Sequence, residues 1–272
     1  MAADPPLPDY EPMLRAFHRG FAAELGAMVD ALPIRPGDTV LEVACGDGAY
    51  TAMLARRVGP TGLVVALDLS TSYLRVARGE ADAAPSATQL VAGAVERLPF
   101  GPGRFDLVWC AQSLFSLPEP RAAVARMAAM ARPGGTVAVL EDDTLHQVIL
   151  PWPADLELAV RAAEWGVLAR RPHFRKFYIG RRLLDLFAEV GLVNVTVRTF
   201  ATDRAAPLDP DTQTYLAEYL AQLRATVADH LDPPMRDRFE HLVDPASPAY
   251  LPNAPTLAVT VINRVVRGRV GT

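Results

Sequence analysis

The sequence predicts an α/β three-layer sandwich, a mostly parallel sheet with helices on both faces. Three observations carry this. Short apolar strands alternate with helix-period segments through the first half of the chain. A turn of small residues, Ala44 to Gly48, separates the first strand from the next helix. The run Leu63 to Leu69 is almost continuously apolar, as in a strand buried on both faces.

The elements follow in order. Residues 10–31 predict an opening helix, with Leu14, Phe17, Phe21, Leu25 and Met28 at helical spacing. The turn Pro36-Gly37-Asp38 leads into a strand at 39–44, and the helix 49–58 closes at Gly59-Pro60. The strand 63–69 is followed by Ser70, which can cap a helix at 72–81. Strands are expected at 89–93 and 105–111. An Ala- and Met-rich helix at 119–131 stops at Pro133-Gly134-Gly135, and a fifth strand covers 136–140. The second half departs from simple alternation: helices at 154–170 and 180–190, a strand at 193–200, helices at 211–231 and 234–243, and a final strand at 257–266. The Pro-rich stretch 244–255 is a long loop, because the last strand must rejoin the sheet.

Composition narrows the function. The chain has 272 residues, half of them hydrophobic, with a formal net charge of −4. That is enough for a sizeable core and offers no general basis for gripping a phosphate backbone, so nucleic acid is not the expected partner. Cys45 and Cys110 are the only cysteines and form neither a disulfide framework nor a zinc spacing. The five histidines show no i, i+4 pair and no metal-ligand spacing with carboxylates, so no metal is expected. No basic-then-apolar leader opens the sequence, and no apolar run approaches the roughly 20 residues that span a bilayer. The expectation is a soluble cytoplasmic protein without a membrane partner.

In Glu42-Val43-Ala44-Cys45-Gly46-Asp47-Gly48, small residues at 44, 46 and 48 let the backbone bend sharply and a ligand approach it closely. The following helix turns its free N–H groups and positive dipole end toward that ligand. Ligands of open parallel sheets sit at the carboxyl ends of the strands. Two cofactor classes compete. A dinucleotide fingerprint needs a third Gly or Ala where this chain has Thr51. A carboxylate at Glu42 suits a cationic, phosphate-free cofactor and would repel a pyrophosphate.

The run resembles the first motif of class I methyltransferases, an acid followed by small residues at alternate positions, with Ala44 at the first glycine. Further segments match in order. Asp68 ends the second strand, where the resemblance implies a carboxylate for both ribose hydroxyls, with Leu69 beside it to pack on adenine. Gly93-Ala94-Val95-Glu96-Arg97-Leu98-Pro99-Phe100 is similar to the family's G-D-A-x-x-L-P-F segment. Ala94 stands where relatives hold the adenine amino group with an acid, so Glu96 or the Val95 backbone is the expected substitute. Leu117-Pro118-Glu119-Pro120 and Arg132-Pro133-Gly134-Gly135 resemble the L-P-D-P and K-P-G-G segments. The matches cover 38–140 and are closest to quinone-biosynthesis and natural-product methyltransferases. The resemblance implies a Rossmann-like, seven-stranded, mostly parallel sheet whose last strand runs antiparallel beside 193–200. The cofactor it implies is S-adenosylmethionine, leaving as S-adenosylhomocysteine, at Glu42, Ala44, Cys45, Gly46, Gly48, Asp68, Leu69, Ala94, Val95, Cys110 and Gln112. The competing readings are an NAD-type oxidoreductase and a cyclase or binding protein that merely retains the cofactor.

One domain is expected over 1–272, with a helical cover at 1–35, a cofactor core at 38–140 and helical substrate-side insertions at 141–190 and 208–252. The function expected is methyl transfer to O, N or C of a small molecule, with base assistance. Candidate bases follow the fifth strand, namely Glu141, Asp142, Asp143 and His146, of which His146 is preferred. Tyr178 and His173 lie in a basic-aromatic stretch suited to an anionic or aromatic acceptor. The N-terminal helix, with Tyr10, Phe17 and His18, and the insertion 211–243 are expected to close over the site. The stripe Leu216, Leu220, Leu223 and Val227 is core or a homodimer contact. Nucleic-acid amino-methyltransferases of this fold carry N/D-P-P-Y/F/W after strand four, where this chain has Cys110-Ala111-Gln112-Ser113.

Overall fold

The computed structural model describes residues 6–172 and 174–272. The first half is laid down as β1 (Thr39–Val43), α3 (Ala49–Val58), β2 (Leu63–Asp68), α4 (Thr71–Asp82), β3 (Ala87–Ala92), β4 (Phe105–Ala111), α5 (Pro120–Met130) and β5 (Ala131–Glu141), preceded by α1 (Glu11–Gly20) and α2 (Ala22–Asp30). The order β3-β2-β1-β4-β5 is parallel throughout. The long β8 (Ala258–Arg269) runs antiparallel to β5 on one side and to β7 (Val193–Ala205) on the other.

Three details differ from the sequence expectation. The opening helix is broken at Phe21 into α1 and α2. Gly20, at the break, sits so close to the insertion that a Cβ there would lie 2.9 Å from Thr212 Oγ1, so α1 is angled across α8 (Pro210–Val227). An eighth strand, β6 (Val148–Ile149), adds a two-residue antiparallel pairing to β8. The fifth strand begins at Ala131, because Pro133-Gly134-Gly135 passes along the sheet with a register shift against β4.

Strand residues alternate between two cores, one on each sheet face. Val40, Leu107, Trp109, Ala138 and Leu140 face α2, α3 and α8. Leu41, Val43, Val108, Cys110 and Val139 face α5 (Pro120–Met130) and α7 (Leu183–Glu189). Burial on both faces explains why these strands are apolar without alternation. The second half supplies α6 (Ala154–Leu168), α7, α8 and α9 (Pro233–Val243), with a 3-10 segment Phe174–Arg181 before α7. The stripe Leu216, Leu220, Leu223 and Val227 is buried within this chain. Among the described residues, no helix is long and apolar enough to cross a membrane.

Candidate functional site

A cavity of about 1010 Å³ opens at the carboxyl ends of β1, β2, β4 and β5, walled on the far side by α1 and α8. This is where ligands of open α/β sheets bind. The strand-end loops are laced together. Cys45 N–H donates to the Leu67 carbonyl at 3.0 Å, and Gly93 N–H to that of Asp68 at 3.0 Å. The Asp68 carboxylate accepts from Gly46 N–H at 2.9 Å and from Ser70 N–H at 2.8 Å. Those bonds fix its orientation and leave further acceptor capacity for a ligand. Leu69, beside it, is an apolar side chain left 75% exposed on the cavity wall.

Within the turn, Ala44 adopts φ +58 and Gly46 φ +53, both left-handed. For Ala44 that conformation costs roughly 1–2 kcal/mol, and such strain gathers at ligand-binding turns. A Cβ at Gly46 would meet no atom within 4 Å, so the backbone there faces open space. Gly48 serves packing: at φ +87, a Cβ would lie 2.9 Å from Ala77 of α4. Thr51, where a dinucleotide turn would have its third small residue, donates to Glu42 Oε2 at 2.5 Å. Glu42 is 2% exposed and lies behind the turn. Burial pushes its carboxyl up to about 8, against the Thr51 hydrogen bond, with Asp47 and Asp68 adding to the rise.

Of the residues expected from the sequence to hold a cofactor, Ala44, Cys45, Gly46, Asp68, Leu69, Ala94, Val95 and Gln112 line this cavity. Glu42, Gly48 and Cys110 do not; Cys110 points into the α5–α7 core. Glu96, on the 3-10 turn Val95–Arg97, also reaches the wall.

The base candidates separate sharply. Asp142 lies on the cavity wall, partly buried, and among the described residues no basic side chain pairs with it. Burial, with Asp143 adding its charge, pushes its carboxyl up to about 7. Glu141 is 1% exposed and accepts from Leu114 N–H at 2.6 Å; burial raises it well above the carboxylate range. Asp143 is bound by Arg181, whose hydrogen bond and charge outweigh burial and hold it low. The His146 side chain is 68% exposed, contacts Asp143, accepts a hydrogen bond from Arg181 Nη2 at 3.3 Å, and lies off the cavity. Tyr178 is buried against Trp165 and Arg181, also off the cavity. His173 lies outside the described residues.

Other residues complete the site: Phe17 and His18 lie on the N-terminal helix expected to cover it, whereas Tyr50, Phe115, Gly180 and Asn263 carried no sequence signal. Gly180, where a Cβ would collide with the Asp142 carbonyl oxygen, lets the segment Phe174–Arg181 press on the end of β5. Tyr50 donates to Gln112 Oε1 at 3.3 Å, and Gln112 Nε2 reaches Asn263 at 3.5 Å. His18 of α1 contacts both Asp47 oxygens through Nδ1, at 2.9 and 2.8 Å. Phe17, Phe115, Phe177, Tyr215 and Tyr219 give the wall opposite the turn an aromatic character.

The chain matches a family model described as a methyltransferase domain over residues 40–135. A demethylmenaquinone methyltransferase of Staphylococcus aureus is 32% identical over 186 residues, which span 64% of this chain and 75% of that one. Among solved structures, the YcgJ protein of Bacillus subtilis is similar with a TM-score of 0.56 at 16% identity, covering 92% of this chain and 99% of that one. The geranyl diphosphate C-methyltransferase of Streptomyces coelicolor A3(2), solved with Mg2+, geranyl diphosphate and S-adenosyl-L-homocysteine, gives 0.50 at 18% identity, covering 98% and 86%. At such identities these structures speak for the fold alone. The S. aureus relative speaks for more: on its identity and coverage, this chain belongs to the class I, Rossmann-like family of S-adenosylmethionine-dependent methyltransferases, and S-adenosylmethionine is its cofactor.

Proposed function

We propose that this methyltransferase acts on a hydroxylated aromatic small molecule and that Asp142 draws off the acceptor's proton. The observation that carries this reading is Asp142 itself, a carboxylate without a basic partner among the described residues, on the wall of a cavity that several aromatic side chains also line, its carboxyl pushed up to about 7. A general base works best when its pKa lies near the working pH, and geometry must come first. Asp142 meets both conditions, whereas His146 is turned outward onto Asp143 and Arg181.

In this reading Asp68 receives the ribose hydroxyls, Leu69 and Val95 flank the adenine, and the Ala44–Gly46 backbone with Gln112 surrounds the methionyl end. The open space at Gly46 and the spare acceptor capacity of Asp68 fit that group. S-adenosylmethionine supplies a methyl group already activated by its sulfonium. The protein aligns and deprotonates: Phe115, Phe177 and Tyr215 orient a flat acceptor, and Asp142 takes the hydroxyl proton, making the oxygen or a ring carbon nucleophilic. Helices α1 and α8 keep water from the reacting groups. The S. aureus relative, named for action on demethylmenaquinone, a quinone, supports an aromatic acceptor.

The test is a panel of naphthols, quinols and polyphenols set beside amines of matching size, with S-adenosylhomocysteine release and product mass as readouts. Methylated products are expected from the hydroxylated aromatics, with a rate that rises with pH through about 7. Methylation confined to the amines, or cofactor binding with no turnover on any member, would overturn the proposal.

A further inference from the structure

The pair His18–Asp47 is unexplained by acceptor chemistry. His18 and Asp47 are each 8% exposed, and His18 reaches from α1 onto the cofactor turn. Its Nδ1 is taken up by the Asp47 carboxylate. Burial alone would raise Asp47, but the His18 hydrogen bond and charge hold its carboxyl below the usual range. The other ring nitrogen, Nε2, is buried, has no partner in the molecule, and belongs to a side chain on the cavity wall. A buried nitrogen without a partner calls for an explanation.

The surroundings indicate what is missing. A helix N-terminus ordinarily receives an anion, but at α3 that place is taken, because Asp47 Oδ1 accepts Ala49 N–H at 3.2 Å. Three more N–H groups of the turn are engaged: Cys45 with Leu67, Gly46 with Asp68, and Gly48 with Cys45. The nearby side chains of Glu42, Asp47 and Asp68 are acids. A cationic or adenosine group finds acceptors here in plenty, whereas a ligand carboxylate finds no free backbone donor among those N–H groups. Beside them, His18 Nε2 is a buried ring nitrogen left without a partner. Asp68 and His18 line the same cavity.

We propose that His18, oriented through Nδ1 by Asp47, receives at Nε2 the α-carboxylate at the methionyl end of the cofactor. The inference rests on the cofactor lying in this cavity with its ribose at Asp68. Asp47 holds Nδ1 from one side and the ligand carboxylate completes the ring's hydrogen bonding from the other. It also gives α1 a reason to be where it is: the helix brings a hydrogen-bonding ring onto a turn whose nearby side chains are acids.

Binding of three probes to the full chain, by titration calorimetry, tests this. S-adenosylhomocysteine carries both the carboxylate and the ammonium, S-adenosyl-3-thiopropylamine lacks only the carboxylate, and 5′-methylthioadenosine lacks both. His18→Asn keeps a donor toward Asp47 and removes Nε2. It is expected to weaken S-adenosylhomocysteine by about tenfold or more, a charged hydrogen bond being worth roughly that much, while the other two probes shift by less than about twofold. Asp47→Asn, which keeps the shape and removes the carboxylate that orients the ring, should show the same selectivity and serves if His18→Asn fails to fold. Equal losses on all three probes would mean that the pair merely braces the turn. A loss shared by the two amines would place His18 on the ammonium. Unchanged binding with slowed methyl transfer would make it a base. Each of these outcomes overturns the proposal. The wild-type protein separates the two levels, since failure to bind S-adenosylhomocysteine at all would remove the site, whereas unselective variants remove only the role of His18.

Discussion

Replacing Glu42 by Gln should make the protein more stable, and increasingly so as pH rises. Glu42 is wholly enclosed behind the turn, its one hydrogen-bond donor being Thr51, and burial lifts its carboxyl from 4.5 to about 8. An acid whose folded pKa lies above its unfolded value leaves stability greatest below the unfolded pKa. Between pH 4.5 and 8 the unfolded chain releases the proton while the folded chain keeps it, so stability falls across that window and levels off above it. At about 1.4 kcal/mol per unit, the displacement corresponds to about 5 kcal/mol in all. Glu42→Gln has nearly the same shape, retains an acceptor for Thr51 and cannot ionise. At pH 5 its unfolding free energy should lie within about 1 kcal/mol of the wild type. By pH 9 it should exceed the wild type by several kcal/mol, with about 5 as the upper bound. Equilibrium urea unfolding of both proteins at pH 5, 7 and 9 measures this. Glu141 and Asp142 act with the same sign but remain in both proteins, so they cancel in the difference. A mutant-to-wild-type difference that stays constant with pH would refute the reasoning, since it would mean that Glu42 is charged in the folded state.

Three further predictions concern the site. Asp142→Asn should lower turnover by about 10²–10⁴, the usual contribution of a general base, and leave S-adenosylhomocysteine affinity unchanged, as steady-state rates and calorimetry would show together. Asp68→Ala should weaken S-adenosylhomocysteine by roughly 10- to 100-fold in calorimetry, because it removes a charged acceptor for the ribose and releases the Gly46 and Ser70 N–H groups. His146→Ala should leave kcat and cofactor affinity within about twofold of the wild type, because its ring lies outside the cavity and its partners hold one another without it.

What was legible in the sequence was what local chemistry decides. The β-α-β order, the small-residue turn and the acid at the end of β2 are set by residues close in the chain, and Asp68 meets Gly46 because one crossover helix brings successive strand ends side by side. The glycine at 48 was legible as part of a turn, while its reason, the close approach of α4, is tertiary. His18 and Asp47 lie 29 residues apart on elements with no shared pattern, so only the crossing of α1 over the turn joins them. The different surroundings of Asp142 and His146 were equally hidden. Both follow β5 closely, and what separates them is Arg181, which reaches from the segment 174–181 to hold Asp143 and His146 on the outside. The two-residue β6 is too short to leave any periodicity, and it exists because β8 runs long enough to pair beyond β5.

The acids around the cavity share a physical consequence. In the empty protein Glu42, Glu141 and Asp142 are all shifted toward their neutral forms, burial being the first cause in each case. Acids shifted toward neutrality, on the wall like Glu141 and Asp142 or behind the turn like Glu42, do not repel a ligand bearing its own carboxylate, yet each gains charge readily once a cation lies near it. The methyl donor carries such a cation at its sulfonium and the demethylated product does not. Asp142 should therefore ionise at a lower pH with S-adenosylmethionine bound than without it, so that the base becomes competent when the donor is in place and is less charged again once the methyl group has left. Kinetics separates the two states, since kcat/KM for S-adenosylmethionine reports groups of the free enzyme and kcat those of the loaded one. The acidic limb in kcat/KM is expected near 7 and the limb in kcat below it. Coincident limbs would show that the donor's charge does not reach Asp142, and limbs in the reverse order would mean that loading the site buries the carboxylate further, with desolvation outweighing the cation.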